Sequence, residues 1–116
     1  MPAAKDKPIA WLRGEIKTPP MSKAARIEAG TLLRRLQGGE KLSMPESRPL
    51  PAVGPRCHEL RIDDLTTKIE WRVIYYVGNV AIAILDIFSK KTRKTPDDVL
   101  TQCRRRLAAL KEVDRS

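Results

Sequence analysis

Five basic side chains in the second half of the chain have the types and spacing of a phosphate-binding site. Arg61 and Arg72 each lie on the polar face of a segment in which apolar and polar residues alternate, as in a half-buried strand. Neighbouring strands are about 4.8 Å apart, so the two guanidinium groups can converge on one anion. Lys90, Lys91 and Arg93 cluster where a strongly apolar segment ends. Arginine gives bidentate, permanently charged contacts to phosphate and lysine acts as a point charge, so this set favours a phosphate ligand.

A structural interpretation of the same residues is also open. Arg61 can pair with Glu59 or Glu70, and the run KKTRK from Lys90 to Lys94 can be a solvated turn. Crowded cationic groups repel one another, however, and an anion relieves that repulsion. For the set as a whole we therefore favour the phosphate site.

Two further side chains are possible acids or bases. His58 is the chain's one histidine, and histidine is the side chain that titrates near neutrality without a pKa shift. Its strand parity with Leu60 and Ile62 favours a partly buried structural histidine over a general base. Tyr76 can position a base or donate a proton, although a tyrosine beside a strand core more often serves packing.

The sequence indicates neither a metal site nor a cofactor site. It has one histidine, no HxxxH or CxxC spacing, no clustered carboxylates and no phosphate-binding glycine loop. Cys57 and Cys103 lack the spacing of a disulfide framework, so we predict that both are buried free thiols. An enzyme built on this chain is expected to work without a metal or cofactor, with cationic side chains stabilising charge on a phosphate.

Length and charge predict one domain with a polyanionic partner. The 116 residues suffice for a single domain over 1–116, in which we expect 1–7 to be loose. Lys and Arg number 23 against 14 Asp and Glu, and this net charge of +9 favours nucleic acid, an anionic membrane surface or an acidic protein as partner. We find neither a secretory signal nor an apolar run long enough to span a bilayer, and therefore expect a cytoplasmic location and no membrane partner.

Hydrophobic periodicity and turn residues predict the elements that position these groups. Ser22 is a good N-cap, Gly38-Gly39 ends the helix that follows, and Thr95 is predicted to cap the last helix. Gly78-Asn79 predicts a two-residue type II′ hairpin. The predicted elements are a strand within Pro8–Lys17, a helix over Lys23–Gln37, an irregular proline-rich connection over Glu40–Arg56, strands over Cys57–Ile62, Ile69–Val77 and Val80–Ser89, and a helix after Thr95. This order predicts an α+β fold with an antiparallel sheet of three to four strands flanked by helices.

Several short motifs, in this order and spacing, resemble a known family. They are HELR (58–61), WRVIYY (71–76) and ILDIFSKKTRKTP (84–96), preceded by PIAWLRGEIKTPP and SRPLPAVGPRCHELR. Together they cover nearly the whole chain. The chain resembles the phage-derived branch of the RelE/HigB toxins.

The resemblance implies a function and a role for each basic group. Such proteins are ribosome-dependent mRNA interferases of type II toxin–antitoxin pairs, with a microbial-RNase-like fold and metal-free attack of a ribose 2′-OH on the adjacent phosphate. Arg61 and Arg72 would bind the scissile phosphate, and Lys90, Lys91 and Arg93 would add charge stabilisation or proton transfer. A cognate helix-turn-helix antitoxin would cover the basic face. The residues expected to dock on ribosomal RNA are Arg34, Arg35, Lys94, Arg104 and Arg105.

Two other functions stay open at this point. One is a ParE-like toxin that poisons DNA gyrase, although relatives of that kind generally lack the basic set and the KKTRK run therefore argues against it. The other is a non-catalytic, phage-derived nucleic-acid-binding protein, which predicts salt-dependent binding without cleavage. The sequence leaves the oligomeric state open.

Overall fold

The computed structural model describes residues 6–12, 20–91 and 93–115, with side chains to 113, as a mixed α+β fold. The described elements comprise a five-stranded sheet, in the order β1-β5-β4-β3-β2, and two helices. Their bounds are β1 (Ile9–Trp11), α1 (Lys23–Gln37), β2 (Ser47–Pro49), β3 (Cys57–Asp64), β4 (Ile69–Val77), β5 (Ile82–Ser89) and α2 (Asp97–Arg115).

The sheet has more strands than the three to four predicted, and it is not wholly antiparallel. Strands β2, β3, β4 and β5 pair antiparallel, whereas β1 pairs parallel to β5 at the opposite edge from β2. The described part of the predicted opening strand forms β1, and its continuation from 13 to Lys17 lies outside the described residues. A parallel pair needs a crossover connection, and α1, β2, β3 and β4 all lie between β1 and β5 along the chain.

Strand β2 lies in the proline-rich segment that was predicted to be irregular. Arg48 pairs with Glu59 of β3, and Pro49 pairs with His58. Pro49 is tolerated because β2 is an edge strand, where a missing N–H does not interrupt the sheet. A three-residue strand has no hydrophobic period, so this prediction was wrong for lack of a local signal.

The two helices pack on opposite faces of the sheet. Helix α1 buries an apolar stripe that includes Ala29 and Leu33 against Leu60 and Val73. Helix α2 buries Cys103 and Leu107 against a second cluster, and the members contributed by strands β3, β4 and β5 are Cys57, Ile74, Ala83 and Leu85. Residues of even number on β4 therefore face α2, which places Arg72 on the α2 face with Ile74.

The ends of several elements follow from particular residues. The predicted bounds of α1 and β4 are confirmed, and Ser22 Oγ accepts a hydrogen bond from Ala25 N at 3.2 Å as the predicted N-cap. After the helix, Gly39 adopts a positive φ of 92°, a conformation that costs glycine little. Strand β3 continues beyond its predicted end at Ile62 to Asp64.

The predicted two-residue hairpin is wrong. Val77 pairs with Ile82, so four residues connect β4 to β5, and Gly78 N donates to Ala81 O at 2.9 Å. A Cβ at Gly78 would lie 2.9 Å from that same carbonyl oxygen, so glycine is required by a close approach of the backbone. Val80, predicted to begin the strand, is 79% exposed in this loop.

Three remaining expectations concern the N-terminus, the thiols and the membrane. Residues 1–5 lie outside the described part of the chain, whereas Lys7 N donates to Gln37 O at 3.1 Å, so residue 7 is held against α1.

Cys57 and Cys103 are both free and buried, as predicted, and burial raises the pKa of Cys57 to about 11 and that of Cys103 to about 12. Neither described helix is long and apolar enough to cross a membrane.

Candidate anion-binding site

An open pocket of about 440 Å³ lies on the α2 face of the sheet, near the first residues of α2. We call it the basic pocket. Strands β2, β3 and β4 and the segment after β5 contribute its walls, so four parts of the chain meet here. The lining residues are Arg48, Arg61, Glu70, Arg72, Lys90, Lys91 and Arg93.

The five residues predicted to form a phosphate site all line this pocket. Arg61 and Arg72 were predicted to lie on the polar faces of neighbouring strands, and the structure makes them direct partners in the β3–β4 ladder. The backbone N–H of Lys90 donates to Glu70 O at 2.7 Å, which holds the beginning of the KKTRK run beside β4. Their proximity is therefore a finding, and their roles remain predictions.

A buried carboxylate lies beneath the cations. Glu59 is 0% exposed, and its Oε1 atom accepts a hydrogen bond from Arg48 Nε at 2.9 Å. The same oxygen lies 3.8 Å from Arg72 Nε and 4.0 Å from Lys90 Nζ. Its other oxygen, Oε2, accepts from the hydroxyl of Thr95 at 2.7 Å. A carboxylate can be buried at tolerable cost only when it is paired and hydrogen-bonded in this way.

The role of Thr95 differs from its predicted one. Helix α2 begins at Asp97, and Leu100 N donates to Pro96 O, so the Thr95 side chain is not the cap of the helix. The hydroxyl instead donates to Glu59, because that buried acceptor lies within its reach. Thr95 thereby connects the start of α2 to the floor of the basic pocket.

Arg72 lines the pocket but is almost completely buried. Its side chain is 1% exposed, Nη1 donates to Trp71 O at 3.0 Å, and Nη2 donates to Glu70 Oε1 at 3.0 Å. The expected direct contact between Arg72 and a phosphate is therefore not available in this arrangement. Arg72 instead contributes its charge from behind the surface and fixes the position of the Glu70 carboxylate.

Lys90 lies between the buried and the open cations. Its side chain is 10% exposed. Burial lowers the pKa of Lys90, as do the charges of Arg48, Arg72 and Arg61, while Glu59 acts in the opposite direction. An ammonium group in this position gains from any anion that enters the pocket, because the anion offsets the repulsion from the neighbouring guanidinium groups.

The outer rim carries cations that are available to a ligand. Lys91 and Arg93 are exposed. Arg61 is partly exposed, and its Nη1 atom lies 3.7 Å from Met44 Sδ. Among the described residues, six cationic side chains line the pocket against two carboxylates, Glu70 and the buried Glu59, which leaves a formal excess of four positive charges. This excess can bind and stabilise phosphate oxygens.

His58 and Tyr76 do not line the basic pocket. His58 lies on the α1 face, where its ring stacks on Tyr75 with centroids 5.3 Å apart, and burial lowers its pKa. Tyr76 lies four residues from Arg72 along β4, about 13 Å away at ~3.4 Å per residue, and packs beneath Lys111. Neither of these two possible acids or bases therefore lies at the basic pocket in this structure.

The residues predicted to dock on ribosomal RNA divide between the two faces. Arg34 and Arg35 belong to α1, opposite the basic pocket, and pair with Asp6 and Glu40. The remaining three lie on the α2 side and are exposed: Lys94, Arg104 and Arg105. Arg104 Nε donates to Ala52 O at 2.8 Å, and Lys94 Nζ lies 3.9 Å from Asp97 Oδ1.

Three residues of the site were not predicted in their observed roles. Arg48 lies on β2, which gave no signal in the sequence. Glu59 and Glu70 entered the sequence analysis as partners of Arg61, yet both contact Arg72 instead. Their shared strand parity with the two arginines was the signal that could have identified them.

The fold and the site define a small basic α+β protein with a cationic pocket on one face of its sheet. Residues 19–108 match the family model of the phage-derived protein Gp49-like group (DUF891), and the chain therefore belongs to this family. The match includes every residue that lines the basic pocket. No curated protein matches the chain.

Proposed function

We propose that this protein is a ribosome-dependent mRNA endoribonuclease, the toxin of a type II toxin–antitoxin pair. The observation that carries the proposal is the basic pocket, in which six cationic side chains surround a space of about 440 Å³. Membership of the Gp49-like family is consistent with a toxin-like function and supports it. The motifs that resemble those of the RelE/HigB toxins indicate that RNA is the substrate.

The proposed reaction uses charge stabilisation rather than a metal. Arg61, Lys91 and Arg93 bind the scissile phosphate from the rim, and Lys90 adds charge from the pocket wall. The ribose 2′-oxygen attacks the adjacent phosphorus, and the 5′-oxygen of the next nucleotide leaves. The products are a 2′,3′-cyclic phosphate and a 5′-hydroxyl. Preorganised donors of this kind are each worth on the order of 10²–10³ in rate.

The charge distribution supports the proposed partners. The exposed basic residues beside the pocket, Lys94, Arg104 and Arg105, would contact ribosomal RNA while mRNA occupies the pocket. Arg34 and Arg35 would need a separate contact, because α1 covers the other face. A small helix-turn-helix antitoxin with an acidic segment would neutralise the toxin by covering the basic pocket.

Controlled expression with RNA 5′-end mapping tests this function. Wild-type protein should arrest growth and cut mRNA within codons, and Arg72→Ala should abolish both because the buried charge that orders the pocket is lost. Immunoblotting must show that the variant accumulates. Toxicity that is unchanged in Arg72→Ala argues against the proposal.

Two outcomes would favour the other functions. Gyrase-dependent DNA damage without RNA cleavage would indicate a ParE-like toxin. Salt-dependent RNA or DNA binding with no cleavage, on or off the ribosome, would indicate a nucleic-acid-binding protein.

A further inference from the structure

We infer that Glu70 is the general base that takes the proton from the ribose 2′-hydroxyl. This inference rests on the proposed function and assigns a residue that the sequence analysis treated as an ion-pair partner. Among the described residues that line the basic pocket, Glu70 is the one carboxylate, and its side chain is 56% exposed. The other carboxylate of the site, Glu59, is fully buried beneath the pocket.

The Glu70 carboxylate is held in position from the protein interior. Arg72 Nη2 donates to Glu70 Oε1 at 3.0 Å, while Arg72 itself is fixed by Trp71 O and by the charge of Glu59. The second oxygen, Glu70 Oε2, has no hydrogen bond within the described structure. A base whose side chain is held by a third group is the arrangement that activates hydroxyl nucleophiles.

The sheet places Glu70 next to the rim cations. Glu70 and Arg72 lie two residues apart on the same face of β4, and Arg61 is the direct partner of Arg72. Glu70 and Arg61 are therefore diagonal neighbours, about 7–8 Å apart at their Cα atoms. A ribose whose 3′-phosphate binds Arg61 carries its 2′-hydroxyl on the next carbon, so a 2′-oxygen can lie within hydrogen-bond distance of the carboxylate.

The step balances without a metal or a cofactor. Glu70 takes the proton from the 2′-hydroxyl, the 2′-oxygen forms its bond to phosphorus, and the bond from phosphorus to the 5′-oxygen breaks. The leaving 5′-oxygen takes a proton from water. Glu70 then returns its proton to the resulting hydroxide.

The alternative role for Glu70 is that of an internal counter-ion, which occupies the place of the phosphate and pairs with Arg72 until RNA binds. The two roles predict opposite effects of one substitution. Glu70→Gln keeps an oxygen for Arg72 but removes the basic carboxylate. A lost base slows cleavage while binding persists, whereas a lost counter-ion strengthens RNA binding and preserves or raises cleavage.

The test compares purified wild-type protein, Glu70→Gln and Asp63→Asn on ribosomes programmed with a defined mRNA, at saturating enzyme. Asp63 is the exposed partner of Glu70 on β3 and does not line the pocket, so Asp63→Asn is a charge-matched control. We expect Glu70→Gln to lower the single-turnover cleavage rate by about 10²–10⁴, with RNA affinity unchanged or higher and the same melting temperature.

Loss of a general base should slow cleavage by more than about threefold. If Glu70→Gln cleaves within about threefold of the wild-type rate, the role of Glu70 is overturned and the proposed function still stands. Absence of cleavage by the wild type and by Asp63→Asn would overturn both together. Loss of rate in Asp63→Asn equal to that in Glu70→Gln would show a general charge effect and would overturn the assignment of the base.

Discussion

Glu59 Oε1 lies 3.8 Å from Arg72 Nε across two neighbouring strands, and both side chains are withdrawn from solvent. Arg72 Nε has no hydrogen-bond partner in the described structure, so this interaction is electrostatic rather than a hydrogen bond. An arginine is rarely buried without a charged partner. The carboxylate therefore permits a guanidinium charge to lie directly beneath the basic pocket, where its field acts on a ligand with little screening.

Replacing Glu59 should destabilise the fold. Glu59→Gln leaves Arg72 and Lys90 without their shared counter-charge, and breaking a buried ion pair on one side costs about 3–5 kcal/mol. Urea unfolding should show this loss as a lower midpoint at unchanged slope. Glu40→Gln is the control, because Glu40 pairs with Arg35 at the surface and its loss should change stability little. Equal midpoints for the wild type and Glu59→Gln would show that the buried charges do not depend on Glu59.

Replacing Arg61 should remove function without affecting the fold. Arg61 is in no ion pair within the described residues, so Arg61→Ala should melt close to the wild type. We expect its cleavage rate to fall by a factor on the order of 10²–10³. The slope of RNA affinity against salt concentration, both on logarithmic scales, should decrease by about the value of one phosphate contact. Lys23→Ala removes an equal charge from the exposed start of α1 and should change neither. A similar loss in both variants would mean that net charge, rather than the site, determines activity.

Asp64 should stabilise the start of α1 in a pH-dependent way. Its Oδ2 atom accepts from Ser22 N at 2.7 Å, and Oδ1 accepts from Thr67 N at 3.2 Å. Burial raises the pKa of Asp64, but the hydrogen bonds from Ser22 and Thr67 outweigh burial and hold the pKa well below 3.8. The stabilisation is therefore complete above pH 3.8 and is lost as the pH falls towards the folded-state pKa.

Asp64→Asn should lower the melting temperature at neutral pH by several degrees. The difference from the wild type should shrink as the pH drops below 3.8, since the wild-type carboxylate then becomes protonated as well. Calorimetry at a series of pH values measures both. A difference that stays constant with pH would indicate that the charge of Asp64 has no part in holding the helix.

His58 should make the fold less stable in mild acid. Burial lowers the pKa of His58 below its ordinary value of 6.5, so the unfolded chain binds the proton more readily than the folded chain. The free energy of unfolding therefore falls as the pH decreases through 6.5 and becomes constant below the folded-state pKa. His58→Phe keeps an aromatic ring against Tyr75 and should flatten this dependence. An unchanged pH dependence in the variant would assign it to other groups.

The parts of the fold that were predicted correctly depend on local patterns. The observed bounds of α1 and β4 follow from an apolar stripe with capping residues and from alternation, respectively. Alternation along β3 and along β4 likewise placed Arg61 and Arg72 on polar faces. These signals are periodic and need no knowledge of distant residues. The adjacency of the two arginines could therefore be predicted before their surroundings were known.

The parts that were missed depend on contacts between distant segments. Strand β2 brings Arg48 to the pocket only because its backbone pairs with β3, and no local period marks three residues as a strand. Alternation also marks charged residues as solvent-exposed, whereas Glu59 and Arg72 are buried and lie within ion-pair distance of each other. A buried ion pair breaks the local rule through a tertiary contact, so periodicity alone cannot predict it.

The chemistry of the RNA ends tests the central claim most directly. Purified protein is incubated with ribosomes carrying a defined mRNA in the decoding site, and the ends of both fragments are determined. Attack by the 2′-oxygen predicts cleavage at the codon in that site, a 2′,3′-cyclic phosphate on the upstream fragment and a 5′-hydroxyl on the downstream one. Arg61→Ala should give the same ends at a rate lower by about 10²–10³. Intact mRNA, or fragments that end in a 3′-hydroxyl and a 5′-phosphate, would contradict the assignment of the basic pocket as the site of this reaction.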